Sequence, residues 1–227
     1  EIDIKDLHYK YKNNYKFSLK DINLKIKPNE NILIMGEIGS GKSTLCKLIV
    51  RFISGYQGSI KINKILNTKI NIDHLRENIV YINQHPNLFN RTLRENLMYG
   101  INKEKYTVNS LLDKLTEVGL KDVRKDFEMK LDKKVGKLGK ELSGGQRQII
   151  WILRSLFSSA KLIILDEPTS SMDIKTKKNI IKLVKELTKT KGIIIITHDK
   201  NILKENIHNR LLMFKNNKID KIIKNYK

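Results

Sequence analysis

The run Gly36-Glu37-Ile38-Gly39-Ser40-Gly41-Lys42-Ser43 constrains this chain more than any other feature. It follows an apolar stretch, Ile32–Met35, and precedes an amphipathic one, Ser43–Phe52. In that second stretch Leu45, Leu48, Ile49 and Phe52 recur at helical spacing. Strand, glycine-rich turn and helix in this order form a phosphate-binding loop. The glycines let the backbone curl until successive N–H groups converge, and the helix start adds unpaired donors and the positive end of its dipole. Lys42 is expected to reach the β- and γ-phosphates of a nucleotide. The Ser43 hydroxyl suits Mg²⁺, which prefers oxygen ligands. Alone, the motif specifies a nucleotide-phosphate binder and nothing narrower.

The remaining pattern predicts an α/β class. Short strands are expected over Ile2–Tyr11, Phe17–Ile26 and Asn31–Met35, with a turn at Lys27-Pro28-Asn29-Glu30. Gly55–Lys64 and Ile79–Ile82 read as further strands, and Val108–Val118 and Gln146–Phe157 as helices. Leu162–Leu165 and Ile193–Ile196 are continuously apolar and too short for buried helices, which fits parallel strands covered on both faces. A helix over Ile174–Thr188 joins them into a βαβ unit. With 227 residues and no low-complexity linker, one domain is expected. Its parts are a β-rich core over 1–85, a helical part over about 86–157 and a continuation of the core over 158–227.

Two more segments carry chemistry. Leu162-Ile163-Ile164-Leu165-Asp166-Glu167 delivers two carboxylates at the C-terminal end of a strand, where open α/β sheets bind ligands. Asp166 can hold Mg²⁺ through water, and Glu167 can polarise an attacking water as general base. Leu142-Ser143-Gly144-Gly145-Gln146-Arg147-Gln148 opens a helix, with Ser143 and Gln146 at capping-box spacing. Its two glycines expose backbone N–H groups, making a second anion site. A nucleotide has a single γ-phosphate, so two such helix starts in one chain imply that two chains share each nucleotide.

Composition narrows the alternatives. The net charge is +21, dominated by Lys spread through nearly every segment, which reads as a solvated exterior more than as a nucleic-acid patch. The single cysteine, Cys46, rules out an internal disulfide and a Cys-based zinc site and reads as a small packed residue. No apolar run approaches the roughly 18 residues that span a bilayer, and no signal peptide is visible. The start at Glu1, directly in a predicted strand, suggests a domain of a longer protein.

Taken together, these segments resemble the nucleotide-binding domain of ATP-binding cassette (ABC) transporters. Gly36–Ser43 is similar to the family's Walker A, Leu142–Gln146 to its signature and Leu162–Glu167 to its Walker B. Four smaller marks follow in family order: Tyr11 resembles the aromatic that stacks on adenine, and Gln84 the Q-loop glutamine. Asp173 resembles the D-loop carboxylate, and His198 the switch histidine that contacts the γ-phosphate. Each of these alone would read as an ordinary sheet aromatic, surface amide or capped residue; only order and spacing lift them. His8, His74, His85 and His208 have no such support and read as surface or structural. The resemblance implies a phosphate-loop NTPase core with an antiparallel β subdomain and an α-helical signature subdomain. It implies ATP and Mg²⁺ as ligands, with Gly36, Glu37, Gly39, Ser40, Gly41, Lys42, Ser43 and Thr44 around the phosphates. Ser43, Gln84 and Asp166 would form the metal environment, and Glu167, His198, Gln84 and Lys42 the catalytic set. Ser143, Gly144, Gly145, Gln146 and Asp173 would complete the nucleotide site, the signature coming from a second cassette.

Pro86–Leu97, reading Pro-Asn-Leu-Phe-Asn-Arg-Thr-Leu-Arg-Glu-Asn-Leu, resembles the exporter branch, where this region sits beneath the coupling helices of the membrane domain. The implied protein is a membrane exporter of the multidrug, peptide or mitochondrial type, its cassette facing the cytoplasm or an organelle's matrix side. Nucleic acid is not expected as a partner. The alternative is a soluble ABC ATPase acting on nucleic acid or ribosomes; the coiled-coil insertion of DNA-repair members is missing between Ser43 and Ser143. The chain departs from the branch at Lys137, where an acidic residue is usual, at Ile149 and at Met172. Its last turn, Lys215-Asn216-Asn217-Lys218, uses Asn where Asp-Gly is usual, which Asn's tolerance of positive φ permits.

Overall fold

The computed structural model describes residues 1–12 and 18–224, so Phe17 of the predicted second strand lies outside the described residues. The chain divides into two compact units. The first comprises Glu1–Tyr81, Ala160–Glu167 and Lys191–Lys227; the second comprises Ile82–Ser159 and Pro168–Thr190.

The first unit is built on the strands. In chain order they are β1 (Ile2–Tyr9), β2 (Leu19–Ile26), β3 (Asn31–Gly36), β4 (Gln57–Ile62), β5 (Ile65–Leu66), β6 (Ile79–Ile82), β7 (Leu162–Asp166), β8 (Gly192–Ile196), β9 (Arg210–Lys215) and β10 (Lys218–Lys224). Helix α1 (Lys42–Ile49) follows β3, and α2 (Ile72–Asn78) precedes β6. One sheet has the order β2-β1-β4-β5 and is antiparallel. The other has the order β10-β9-β3-β8-β7-β6. Within it β3 runs parallel to both β8 and β9, and β7 parallel to β8. The two apolar runs are thus adjacent strands, with Ile163 opposite Ile193 and Leu165 opposite Ile195. Every residue of β8 is buried, which is why it shows no polar alternation.

Helix α1 places Leu45, Cys46, Leu48 and Ile49 in a core shared with Ile4 and Leu7 of β1, Ile32 and Ile34 of β3, and Phe214 of β9. The helix ends at Ile49, three residues short of the predicted limit. Arg51 takes a left-handed conformation (φ 57°), which turns the chain out of the helix. Phe52 therefore leaves the buried stripe and sits edge-on against Tyr81, ring centroids 5.4 Å apart. The strand expected over Gly55–Lys64 is also shorter. It breaks at Asn63 (φ 47°) and Lys64 (φ 70°), whose tight turn starts β5. The Asn216-Asn217 turn between β9 and β10 has both residues at positive φ, 49° and 64°, as anticipated.

His208, read as surface or structural, is buried just ahead of β9. Burial lowers its pKa, so the native state holds it neutral where the unfolded chain would protonate. The associated stability is complete above about pH 6.5 and is lost as pH falls below that value, by at most about 1.4 kcal/mol per pH unit. Urea melts between pH 7.5 and 5 should show this slope, and His208→Gln should flatten it. Equal slopes in the two proteins would refute the assignment.

The second unit is helical: α3 (Leu93–Leu97), α4 (Val108–Glu117), α5 (Lys121–Glu128), α6 (Gly144–Phe157) and α7 (Ile174–Thr188). Thr92, Thr107 and Ser143 each close a capping box at the start of α3, α4 and α6. Asn96 is fully buried and ties down the loop before α3. It accepts from Phe89 N (3.0 Å) and donates to the carbonyls of Phe89 (3.0 Å) and Thr92 (2.9 Å). Trp151 of α6 donates its indole N–H to Asn87 O (3.0 Å), a further tie on the same loop. No helix among the described residues is long and apolar enough to cross a membrane.

Candidate functional site

In the first unit the phosphate loop runs from the end of β3 into α1, so its position is set by a strand buried in mid-sheet. Gly36 closes β3, Gly39 lies in the turn, and Gly41 caps α1 with φ 95° and no side-chain cap. A Cβ on Gly41 would meet Ser18 O at 2.3 Å and Leu19 Cδ2 at 2.6 Å, so only glycine fits. The Lys42 ammonium folds back over the loop. It donates to Gly36 O (2.9 Å), Glu37 O (2.6 Å) and Ser40 Oγ (3.4 Å). Burial lowers the Lys42 pKa, against the opposing pull of Glu167, Asp166 and Glu37. A cation is thus held inside a cradle of two backbone carbonyls and a serine hydroxyl.

Asp166 ends β7 and is buried. Its two oxygens have separate donors: Ser43 Oγ donates to Oδ1 (2.9 Å) and the Tyr81 hydroxyl to Oδ2. The sequence brought Ser43 and Asp166 to notice; the structure brings them into contact. Tyr81 was missed. It stands in β6 three residues before Gln84, and its half-buried place in a strand gave no sign that its hydroxyl ends on a carboxylate. Burial, followed by the adjacent Asp166 charge, raises its pKa far above the ordinary phenol value.

Glu167 has a left-handed backbone (φ 51°), held by its N–H bonding to Ile196 O (2.8 Å). Its carboxylate accepts from the buried Thr197 hydroxyl (3.2 Å) and from His198 Nδ1 (2.8 Å). Since a carboxylate can only accept, that contact puts a proton on Nδ1 and leaves Nε2 of the exposed ring facing outward chemistry. Thr197 is a second residue missed in the sequence. Tyr11 is partly exposed, stands edge-on to Tyr9 (4.9 Å), and lies within 3.3 Å, hydroxyl to hydroxyl, of Thr44.

The other candidates belong to the second unit. Gln84 Nε2 donates to Ser170 Oγ (3.0 Å). At the start of α6, Gln146 N donates to Ser143 Oγ (3.1 Å), and Ser143 N to Gln146 Oε1 (2.8 Å). The Gln146 amide also donates to Asp126 (2.7 Å). Asp173 caps α7, accepting from Thr176 N (2.9 Å) and Thr176 Oγ1 (2.6 Å), bonds that lower its pKa. Gly144 is open, with Arg147 Nη2 3.9 Å from where its Cβ would stand. Gly145 is needed for packing: a Cβ there would lie 2.3 Å from Thr176 Cγ2. Gly145→Ala should therefore destabilise the protein by about 1–3 kcal/mol. Adding Thr176→Ser, which removes that methyl but keeps the hydroxyl on Asp173, should recover most of the loss. Denaturant melts showing no recovery would contradict this account.

A buried cation in a glycine-rich loop, a serine hydroxyl on a strand-end carboxylate and a second carboxylate fixed by a histidine define a phosphate-loop nucleotide-binding domain of the α/β class. The family described as ABC transporter matches residues 19–170, and the chain belongs to that family. It is 33% identical over 199 residues to the "ATP-dependent permease MDL1" of Candida albicans, covering 87% of this chain and 29% of that one. It is 38% identical over 201 residues to the "Transport/processing ATP-binding protein ComA" of Streptococcus pneumoniae, covering 87% and 27%. The "ATP-dependent lipid A-core flippase" of Saccharophagus degradans is 34% identical over 206 residues, covering 87% and 33%. A solved bacterial Atm1-family ABC exporter with ATP bound superposes with a TM-score of 0.83 at 22% identity, over 97% of this chain and 38% of that one, and shows the shared fold. The chain spans about a third of the length of the curated relatives it matches.

Proposed function

We propose that this chain is one ABC ATPase domain that binds and hydrolyses ATP and so powers a membrane exporter. The observation that carries the reading is the Ser43–Asp166 hydrogen bond, which joins the phosphate loop to the carboxylate strand. Those two oxygen donors, a hydroxyl and a carboxylate 2.9 Å apart, fit Mg²⁺. Ser43 and Asp166 would hold it, with Gln84; when bound it neutralises charge on the phosphates.

The chain's own residues do the rest. Lys42 exchanges its loop carbonyls for phosphate oxygens, to which charge-assisted bonds are stronger. Gly36, Glu37, Gly39, Ser40, Gly41 and Thr44 line the phosphates with backbone and hydroxyl donors. Tyr11 offers a ring for the adenine. Glu167 takes a proton from the attacking water as general base, and Thr197 and His198 hold its carboxylate in place. His198 donates from Nδ1 to Glu167; a bond to a γ-phosphate oxygen, itself an acceptor, needs a proton on Nε2 as well.

Ser143, Gly144, Gly145 and Gln146 of a second cassette, identical or divergent, would close the site head-to-tail, with Asp173 beside it. That closure makes ATP a ligand of the paired state, and hydrolysis releases the pair. The partners would be transmembrane domains resting on the region Pro86–Leu97, with the cassette on the cytoplasmic or matrix side. The relatives named above are by name a permease, a transport/processing protein and a flippase, which favours the exporter over the soluble nucleic-acid or ribosome alternative. The test is phosphate release from ATP by the purified chain. Release that requires Mg²⁺ and stops in EDTA is expected; no nucleotide binding in a calorimetric titration would overturn the proposal.

A further inference from the structure

We infer that Tyr81 is a positioning residue for Asp166: its hydroxyl holds one carboxylate oxygen so that the other faces the metal. The inference rests on the Mg-ATP reading above and deepens it.

Asp166 is buried, and a buried carboxylate oxygen without a donor is costly. Its two oxygens differ in what their donors are free to do. The Ser43 hydroxyl on Oδ1 is itself a metal ligand in the proposed site, with its oxygen lone pairs free for the metal while its proton stays on Oδ1, so Oδ1 lies on the metal side. Tyr81 on Oδ2 has no such second task. It fixes the plane of the carboxylate and leaves Oδ1 as the oxygen on the metal side. A residue with two free oxygens could rotate; one pinned by Tyr81 cannot.

The phenol is well supported for this work. It projects from β6, which lies next to β7 in the sheet, so strand pairing sets its reach to Asp166. Phe52 stands edge-on to its ring, 5.4 Å between centroids. Phe52 follows α1, the same helix whose first turn carries Ser43. Both donors to Asp166 are therefore referenced to α1, one at each end, and the carboxylate is framed between them. An aliphatic residue at position 81 would pack as well but would donate nothing. Outer partners of this kind commonly change metal affinity by about 10–100-fold when removed.

Tyr81→Phe keeps the ring and the Phe52 contact and deletes only the hydroxyl. The experiment is electron paramagnetic resonance titration of Mn²⁺ into protein loaded with a non-hydrolysable ATP analogue. Analogue affinity in EDTA and the thermal melt are measured alongside. The Mn²⁺ dissociation constant is expected to rise about tenfold, with analogue affinity in EDTA and melt cooperativity kept. In an Asp166→Asn background, Tyr81→Phe should add nothing. Unchanged Mn²⁺ affinity in Tyr81→Phe, or a full further loss in the Asp166→Asn background, would overturn the inference. If Tyr81→Phe loses its cooperative melt, 3-fluorotyrosine at position 81 replaces it. Its ¹⁹F resonance should move on Asp166→Asn, and a resonance that stays put overturns the inference. Failure of the broader reading is distinguishable, because it would appear in the unsubstituted protein as an absence of metal-dependent nucleotide binding.

Discussion

Glu167→Gln is expected to leave ATP binding intact and to cut turnover by about 10²–10⁴-fold, the usual worth of a positioned general base. The change is nearly isosteric. The amide oxygen can still accept from the Thr197 hydroxyl, and the left-handed backbone at φ 51° is held by Ile196 O, not by the side chain. What is lost is the basic oxygen. The His198 contact is lost in part as well, since an amide NH₂ turned toward Nδ1–H would oppose it. Phosphate release under saturating Mg-ATP, set against nucleotide affinity by calorimetry, separates the two effects. Turnover within a few-fold of the unsubstituted chain would remove Glu167 from the chemistry.

Lys42→Ala is expected to fail one step earlier. Its ammonium is the cation around which the loop is wrapped, through Gly36 O, Glu37 O and Ser40 Oγ. Charge-assisted bonds contribute about 1.5–3 kcal/mol each, so losing one or two to phosphate weakens ATP binding by roughly 10²-fold or more. The loop also loses its own internal donor, leaving carbonyls that must find water. The same calorimetric titration should show weak or no binding at micromolar ATP, whereas Glu167→Gln binds normally. Equal affinity in Lys42→Ala and the unsubstituted chain would place the phosphates elsewhere.

The parts legible in the sequence were those fixed by local pattern. Ile32–Met35, the glycine-rich turn and the stripe of Leu45, Leu48 and Ile49 announce strand, loop and helix because period and glycine placement are local properties. Leu162–Leu165 and Ile193–Ile196 announce buried parallel strands for the same reason, and they pair side by side. The misjudged boundaries lie where one or two residues take positive φ. Arg51 ends α1 before Phe52, and Asn63-Lys64 splits one expected strand into β4 and β5. Arg51 carries no turn signature; Asn63 does, and the reading over Gly55–Lys64 ran past it.

The site shows the same division. Ser43 and Asp166 were found separately, each from its own motif, but Tyr81 and Thr197 were not. Their roles come from strand pairing across long sequence separations: Tyr81 reaches Asp166 from β6, and Thr197 reaches Glu167 from the end of β8. Neither residue type signals a carboxylate partner from its neighbours. Gly145 shows the opposite error. It reads as a backbone donor for an anion, and the structure gives it a packing reason against Thr176 as well.

In the proposed function a triphosphate is held between two copies, each supplying a different helix start. Sedimentation velocity of Glu167→Gln with saturating Mg-ATP and with Mg-ADP tests this most directly. The prediction is a two-copy species with ATP that falls back to single chains with ADP; a chain that binds ATP yet sediments as a single copy in both would contradict it.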